Sequence, residues 1–318
     1  MIRPLIVLGV RRSGTTLLRV ILDRSPGIAI PDESYFIPQL AHRHGRTVDP
    51  SNFLDDLRRL PTLADWGLSP DDVAGRLRAG MSKGCAVAAV FEAYADKQGK
   101  PRWGDKTPMY MQHLGLIEGL FPDAQYVHLI RDGRDAALSF LEMPEGIVTQ
   151  TWAHPRDARG FACQWRAEVV AGRALGLRVS SARYLEVRYE DFVAHPERHV
   201  RSICGFADLP FETAVLDYAG AVDVSAKPHQ QRLRQHPTSG VRDWRGEMHP
   251  EDVHAFEGVA GDLLADLGYE LADPDSVRSS SWGRLSRLWY RARLEAWNTS
   301  SYGLQRSPLW RRRHPVLF

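Results

Sequence analysis

Residues 9–16, "GVRRSGTT", have the types and spacing of a phosphate-binding loop. Gly9 and Gly14 permit a tight turn, and the backbone amides that open a following helix attract an anion. The hydroxyl groups of Ser13, Thr15 and Thr16 add further donors. The spacing matches G-x-x-x-x-G-K-[ST], except that Thr15 stands at the lysine position. We therefore expect a loop that holds a phosphate without the usual lysine.

The cations near this loop differ from those of a nucleoside triphosphatase. In such enzymes the lysine contacts the terminal phosphates, and a carboxylate at the end of another strand helps to hold magnesium. Here the apolar run "YVHLI" is followed by Arg131, and Arg12 places a positive charge inside the loop. These residues disfavour a metal-dependent kinase. They favour a 5′-phosphate that carries one further group, transferred without a metal.

Three strand-to-helix transitions are predicted to position these residues. Residues 4–10 form an apolar run that indicates a strand, and apolar residues at helical spacing follow from Thr15. Residues 124–130 repeat the pattern before Arg131, and "ARYLEVRYEDF" indicates a third strand ahead of the amphipathic "HPERHVRSICGFADL". Alternating strands and helices predict an α/β fold with a central parallel sheet flanked by helices. Ligands then bind at the carboxyl ends of the strands.

A helical insertion is predicted at about residues 41–100. Its clearest signal is Ser69 followed by Pro70, Asp71 and Asp72, which is typical of a helix start. The 318 residues suffice for one large domain, which we expect to span residues 1–275.

Composition excludes several classes of protein. The formal charge of +2 gives no global bias toward nucleic acid. Cys85, Cys163 and Cys204 lack the paired spacing of a disulfide framework or a zinc site, which indicates a reducing compartment. No apolar run approaches the roughly 18 residues of a membrane span. We expect a soluble cytoplasmic protein.

Two motifs together carry a resemblance to a known family. "RRSGTTLLRVILDRSPGIAIPDES" resembles the 5′-phosphosulfate loop of sulfotransferases that use 3′-phosphoadenosine-5′-phosphosulfate (PAPS), and "YVHLIRDGRDAALSF" resembles their 3′-phosphate motif. The branch with tyrosylprotein and bacterial sulfotransferases is the most similar, and the resemblance spans residues 4–270. It implies a P-loop-like three-layer fold, PAPS as cofactor without a metal, and adenosine 3′,5′-bisphosphate as product. It also favours a bacterial origin.

The resemblance implies a set of cofactor ligands. The 5′-phosphate side comprises the loop residues Arg11, Arg12, Ser13, Gly14, Thr15 and Thr16. Arg12 corresponds to the basic residue at the oxygen between phosphate and sulfate, where it stabilises the leaving group. Arg131 and Ser139 correspond to the 3′-phosphate ligands, with a surface salt bridge in a loop as the alternative. Tyr189 corresponds to a cofactor-side tyrosine, with core packing as the alternative. Trp103 or Phe192 is a candidate for stacking on adenine.

The resemblance also implies two further catalytic residues. Glu33 corresponds to the base that takes the proton of the attacking hydroxyl, although Asp32 is adjacent and two solvated acids at a helix start are the plain alternative. Lys106 in "WGDKTP" corresponds to a lysine that stabilises the sulfuryl group, with an ordinary loop charge as the alternative. A nucleotide lid is expected near residues 227–244. The Arg-Lys-Gly element of the cytosolic enzymes is missing there, so Thr238, Ser239 and Arg242 are the candidate substitutes.

Residues 276–318 form a basic tail. From Ser279 onward it holds eight arginines and one acid, Glu295. Apolar residues at spacings of three and four predict an amphipathic helix; they are Trp282, Leu285, Trp289, Ala292 and Ala296. Such a helix packs back on its own domain or on a second subunit, contacts an anionic membrane surface, or binds an acidic partner. Packing back is the favoured interpretation, and peripheral contact with the inner membrane face comes second.

The sequence therefore predicts a PAPS-dependent sulfotransferase that moves a sulfuryl group to a hydroxyl acceptor by in-line displacement. A saccharide, a glycolipid or a secondary metabolite is the expected acceptor. Peptidyl tyrosine, a metal-dependent kinase, and a nucleotide-binding or membrane-docking module without turnover are the alternatives. No nucleic-acid partner is expected, and a homodimer stays open.

Overall fold

Four parallel strands form the sheet at the centre of the protein. The computed structural model describes residues 3–143, 154–218, 242–274, 281–305, 307 and 309–310. The strands are β1 (Leu5–Leu8), β2 (Gly104–Asp105), β3 (Gln125–Ile130) and β4 (Tyr184–Arg188), in the order β2-β1-β3-β4. Leu5 lies opposite Gln125, and Leu8 lies opposite His128. The carboxyl ends of β1 and β3 therefore lie side by side, as the alternation of strands and helices predicts.

Helices cover both faces of this sheet. They are α1 (Thr15–Asp23), α2 (Ile37–Arg43), α3 (Pro50–Leu57), α4 (Pro61–Asp65), α5 (Pro70–Ala74), α6 (Lys83–Lys97), α7 (Leu114–Leu120), α8 (Gly133–Leu141), α9 (Ala158–Arg178), α10 (Tyr189–Ala194), α11 (Pro196–Phe206), α12 (Trp244–Glu247), α13 (Pro250–Asp266) and α14 (Ser281–Gln305). Two short 3₁₀ helices span Pro108–Gln112 and Thr213–Leu216.

The third predicted strand ends earlier than its apolar pattern suggests. β4 stops at Arg188, and Tyr189 begins α10, which has Glu190 and Asp191 in its first turn. Acidic residues near a helix N-terminus are favoured by the helix dipole, which explains why the strand prediction was wrong beyond Arg188. The helix start at Ser69 is confirmed, because its backbone amide donates to Asp72 Oδ2 at 2.7 Å and completes a capping box.

The core is divided by the sheet. Every residue of β1 is buried, with Ile6 and Leu8 on one face and Leu5 and Val7 on the other. Side chains alternate along a strand, so one four-residue segment anchors two hydrophobic clusters. Trp103 stacks on Phe91 in the first cluster, with ring centroids 4.6 Å apart, and Phe192 lies in the second. Both predicted adenine-stacking candidates, Trp103 and Phe192, are therefore core residues, and that prediction was wrong.

A buried ion cluster joins the turn after β3 to the C-terminal half. Arg134 is fully buried, and its Nη2 lies 2.7 Å from Asp132 Oδ2 and donates to the Glu270 carbonyl at 2.8 Å. Its Nη1 contacts Glu257 on α13, and the Trp244 ring lies 3.7 Å from its Cζ. This guanidinium therefore holds α8, α12 and α13 together beside the loop that follows β3.

The C-terminal helix lies against α2, α9 and α13. Arg287 Nε donates to the Val259 carbonyl at 2.8 Å, and the Tyr302 hydroxyl lies 2.9 Å from His113 Nε2. The tail thus packs back on the domain, as the favoured interpretation expects, but it does so through a different face. The predicted apolar face is exposed at Leu285 and Trp289, while the Trp282 side chain lies outside the description. Among the described helices, none has the length and apolar character needed to cross a bilayer.

Replacing Arg134 with methionine should lower the free energy of unfolding by about 3–5 kcal/mol, because it leaves two buried carboxylates without their cation. Urea denaturation monitored by circular dichroism measures this loss. Arg201→Ala is the matched control, because Arg201 pairs with Glu197 on the exposed surface of α11 and its removal should cost at most about 1 kcal/mol. Equal losses in the two variants would contradict a structural role for the cluster.

Candidate active site

The loop between β1 and α1 adopts the tight turn expected from its glycines. Arg12 and Gly14 both have left-handed backbones, with φ of 71° and 85°, and the Ser13 amide donates to the Val10 carbonyl at 3.1 Å. A Cβ on Gly14 would overlap the ring of Tyr189, and a Cβ on Gly9 would lie 2.7 Å from the Leu129 carbonyl oxygen. Close approach of neighbouring strands and helices therefore requires glycine at both positions.

Several groups at the start of α1 suit a phosphate. The N-terminal turn of α1 has no acidic residue and no side-chain cap, so its amides are free of a competing carboxylate. The Ser13 hydroxyl is buried and has no hydrogen-bond partner among the described residues. Thr15 is buried beside it, and Thr16 is half-buried. An unsatisfied buried hydroxyl at a helix N-terminus fits a bound anion, so the residues present fit the 5′-phosphate predicted here.

The predicted 3′-phosphate ligands lie together next to the loop. Arg131 Nη1 donates to the Arg12 carbonyl at 3.0 Å, and Arg12 Nε donates to Ser139 Oγ at 2.9 Å. The Arg131 guanidinium also lies over the Tyr189 ring, 4.8 Å from its centroid. The Trp165 indole fixes the backbone here by donating to the Arg131 carbonyl at 3.1 Å. Two arginines, a hydroxyl and an aromatic ring thus surround one edge of the loop.

Lys106 connects the other edge of the loop to Glu33. Its Nζ donates to Thr16 Oγ1 at 3.1 Å and forms an ion pair with Glu33. The Tyr35 hydroxyl also donates to Glu33. The Lys106 side chain is only 2% exposed, so its charge acts in a region of low dielectric where it is strongly felt. One continuous polar contact therefore joins three residues that lie far apart in the sequence: Thr16, Lys106 and Glu33.

The electrostatic environment keeps Glu33 ionised. Burial alone raises the pKa of Glu33, but the Lys106 ammonium, its hydrogen bond and the Tyr35 hydroxyl together hold that pKa below its usual range. Asp32 instead forms an ion pair with Arg19, with Asp32 Oδ1 and Arg19 Nη2 2.9 Å apart, on the half-exposed edge of α1. The two adjacent acids therefore differ in partner, and Glu33 is the one that reaches Lys106.

A buried network that the sequence did not reveal supports this pair. The Ser34 hydroxyl donates to Asp105 Oδ1 at 2.7 Å, and the Ser34 amide donates to Thr107 Oγ1 at 2.9 Å. The Tyr110 hydroxyl lies 2.6 Å from Ser34 Oγ and accepts from the Ile37 amide at 3.2 Å. These bonds attach the segment that carries Glu33 to the end of β2, which carries Lys106. The only sequence signal was the polar character of the residues flanking Glu33 and Lys106.

Arg11 points toward the Glu33 side of the site. Its Nη1 lies 2.6 Å from His154 Nε2, and its charge helps to lower the pKa of Glu33. A contact of Arg11 with the cofactor stays a prediction.

Of the predicted lid at residues 227–244, only residues 242–244 belong to the described part of the chain. Arg242 Nη1 donates to Glu142 Oε1 at 3.0 Å, and Arg242 also pairs with Glu247, so its guanidinium is bound to the end of α8. Thr238 and Ser239 lie outside the described residues. Nucleotide contacts by Arg242 and Ser239 therefore stay predictions.

The geometry agrees with the family comparison. The sequence model of the sulfotransferase family matches residues 4–213 of this chain. The matched residues contain the loop, Glu33, Lys106, Arg131 and Ser139. The chain belongs to the sulfotransferase family.

Relatives of known name span longer chains. This chain is 27% identical over 268 residues to protein-tyrosine sulfotransferase A of Caenorhabditis elegans, covering 82% of this chain and 66% of the relative. It is 25% identical over 317 residues to the protein-tyrosine sulfotransferase of Drosophila melanogaster, covering 94% of this chain and 58% of the relative. The matched part is thus less than two thirds of either relative's length.

A solved structure has the same fold. The sulfotransferase domain from the curacin biosynthetic pathway superposes with a TM-score of 0.60 at 21% identity, covering 85% of this chain and 99% of that domain. The α/β architecture built around the parallel sheet is therefore shared with a known sulfotransferase domain.

The buried carboxyl of Asp105 should make stability depend on pH. Burial raises the pKa of Asp105 to about 7. A raised carboxyl pKa favours folding at low pH, and this contribution is lost as pH rises from about 4 through 7. Asp105→Asn keeps the acceptor for Ser34 but does not ionise. Between pH 4 and 8 the wild type should therefore lose about 4 kcal/mol of unfolding free energy relative to the variant.

Urea denaturation of both proteins across this pH range measures the difference. Glu168, whose pKa burial also raises to about 7, is common to both proteins and cancels in the comparison. Parallel pH profiles for wild type and variant would show that Asp105 does not bind a proton preferentially in the folded state.

Proposed function

We propose that this protein is a PAPS-dependent sulfotransferase that moves a sulfuryl group to the hydroxyl of an acceptor by in-line displacement. The observation that carries the proposal is the continuous contact from Thr16 through Lys106 to Glu33. It joins the phosphate loop to an ionised carboxylate, which is the arrangement that a transfer from a phosphate-bound group to a hydroxyl requires.

The donor supplies a sulfuryl group activated by its bond to a phosphate. Ser13, Thr15 and Thr16 hold the 5′-phosphate through hydroxyls and helix amides. Arg131 and Ser139 hold the 3′-phosphate, and Tyr189 packs on the nucleoside side. The proposal is supported by the buried Ser13 hydroxyl, which has no hydrogen-bond partner among the described residues. It is also supported by the contacts of Arg12 with Ser139 and of Arg131 with the Arg12 carbonyl, which place two guanidinium groups next to the loop.

Glu33 acts as the general base in this proposal. Its lowered pKa keeps it a carboxylate at neutral pH, with Lys106 as its counter-ion. An anionic group held at Thr16 competes for the Lys106 ammonium, which weakens the ion pair and makes Glu33 more basic. Glu33 then takes the proton of the acceptor hydroxyl while the hydroxyl oxygen bonds to sulfur and the bond from sulfur to the phosphate oxygen breaks. Arg12 and Lys106 stabilise the charge that develops on the oxygen of the breaking sulfur–oxygen bond.

Two acceptor classes fit this chemistry. A hydroxyl of a saccharide, a glycolipid or a secondary metabolite has a weakly acidic proton that needs a positioned base such as Glu33. Peptidyl tyrosine is a second candidate, and it is supported by the names of the two relatives, both protein-tyrosine sulfotransferases. A tyrosine phenol, with a pKa near 10, needs that base less, so the size of the Glu33 effect distinguishes the classes.

Calorimetric titration should show that the wild type binds adenosine 3′,5′-bisphosphate without magnesium more tightly than adenosine triphosphate with magnesium. Arg131→Ala should weaken binding of the bisphosphate by about tenfold to a hundredfold, since it removes charge-assisted hydrogen bonds to a phosphate. Arg201→Ala, on the exposed surface of α11, is the charge-matched control and should bind as the wild type does.

The same titration separates the sulfotransferase from the kinase. Preference for the triphosphate with magnesium would favour a kinase. Unchanged affinity in Arg131→Ala would remove that residue from the nucleotide site. A binding module without turnover needs a second experiment: tight bisphosphate binding, together with no transfer from PAPS to any acceptor in a separate assay, would favour it.

A further inference from the structure

The outward face of α14 carries an apolar stripe. Leu285, Leu288 and Trp289 are 57%, 62% and 62% exposed, at positions that are neighbours on one side of a helix. Exposed Ala292 and Ala296 continue the stripe along the next turns. Adjacent large side chains with this exposure are uncommon on a monomer and mark a surface that binds something apolar. Within the described part of the chain, no element covers this stripe.

The orientation of the stripe is fixed by the opposite face of α14. Tyr290 is buried in the cluster formed with α9 and α13, and Leu294 packs against the same cluster. Arg287 donates to the Val259 carbonyl, and Tyr302 stacks on His42 of α2 with ring centroids 4.5 Å apart. Because these contacts occupy the inner face along most of the helix, Leu285, Leu288 and Trp289 remain on the outside.

Basic side chains border the stripe. Arg284 and Arg291 are exposed along one flank, and the Arg293 guanidinium lies 4.5 Å from the Trp289 ring on the other. Glu295 is the one acidic residue in the sequence of this helix. Tryptophan and leucine flanked by arginines on a helix of modest hydrophobicity are typical of helices that lie in the interface of an anionic membrane.

A second copy of the chain is a poorer occupant for this surface. Packing two such stripes together would bring the flanking arginines of both copies close to one another, which costs free energy. An anionic lipid surface instead complements the arginines and accepts the apolar side chains. We propose that α14 docks this protein on membranes rich in anionic phospholipid, with Leu285, Leu288 and Trp289 entering the boundary between headgroups and acyl chains.

Vesicle flotation tests this docking directly. The full chain should float with phosphatidylglycerol-rich vesicles and remain unbound with vesicles of phosphatidylcholine alone. The double substitution Leu288→Ser with Trp289→Ser should reduce the partition coefficient by about tenfold or more, since it removes two apolar side chains from the interface. Leu177→Ser is the matched control, because Leu177 is 91% exposed on α9 outside the stripe, and it should leave binding unchanged.

Circular dichroism melting shows whether the double variant and Leu177→Ser are folded. Vesicle binding is compared only between folded proteins. Failure of the wild type to bind phosphatidylglycerol vesicles would overturn the proposal, as would equal binding by the double variant. Sedimentation equilibrium tests the other occupant: a wild-type dimer that the double variant cannot form would assign the stripe to a second copy of the chain and would also overturn it. None of these outcomes depends on sulfuryl transfer.

Discussion

Parallel pairing of the four strands is the constraint on which the site depends. Each strand ends at the same edge of the sheet and delivers one part of the site: the loop after β1, Lys106 after β2, Arg131 after β3 and Tyr189 after β4. The register of β1 and β3 brings Arg131 within hydrogen-bond distance of the Arg12 carbonyl. The chemistry is therefore assembled by the topology of the fold, at the position where parallel α/β sheets bind ligands.

Electrostatics then divides the site into two sides. Arg12 and Arg131 concentrate positive charge beside Ser139. The Lys106 ammonium instead pairs with Glu33 and donates to Thr16. A buried ammonium is stable only with a partner, and a carboxylate beside it stays ionised. The buried bonds among Ser34, Asp105 and Tyr110 hold this pair in place. This division fits the proposed function, in which one side of the site holds a phosphate and the other side supplies the base.

Local chemistry made much of the fold and of the site predictable. Glycine spacing and apolar runs were sufficient for the loop and the strands, because each depends on neighbours in sequence. Arg131 and Ser139 were expected from the resemblance of their motif, but the contact of Arg131 with the Arg12 carbonyl spans 119 residues and depends on the pairing of β1 with β3. The contact between Lys106 and Thr16 spans 90 residues and exists only once β1 and β2 pair. Likewise Glu33 and Asp32 are distinguished by their partners across the fold, Lys106 and Arg19. Periodicity predicted that the tail is an amphipathic helix, but tertiary contacts of Tyr290 and Arg287 decided which face is buried.

If the ion pair of Glu33 and Lys106 is a centre for sulfuryl transfer, transfer of labelled sulfur depends on Glu33. Wild type and Glu33→Gln are incubated with ³⁵S-labelled PAPS and a panel of saccharides, glycolipids and tyrosine peptides. We expect labelled product with at least one acceptor. We also expect the transfer rate of Glu33→Gln to be lower by about 100-fold or more, with its affinity for the bisphosphate retained. Equal transfer rates in the two proteins, with the same affinity for the bisphosphate, would contradict this role of Glu33.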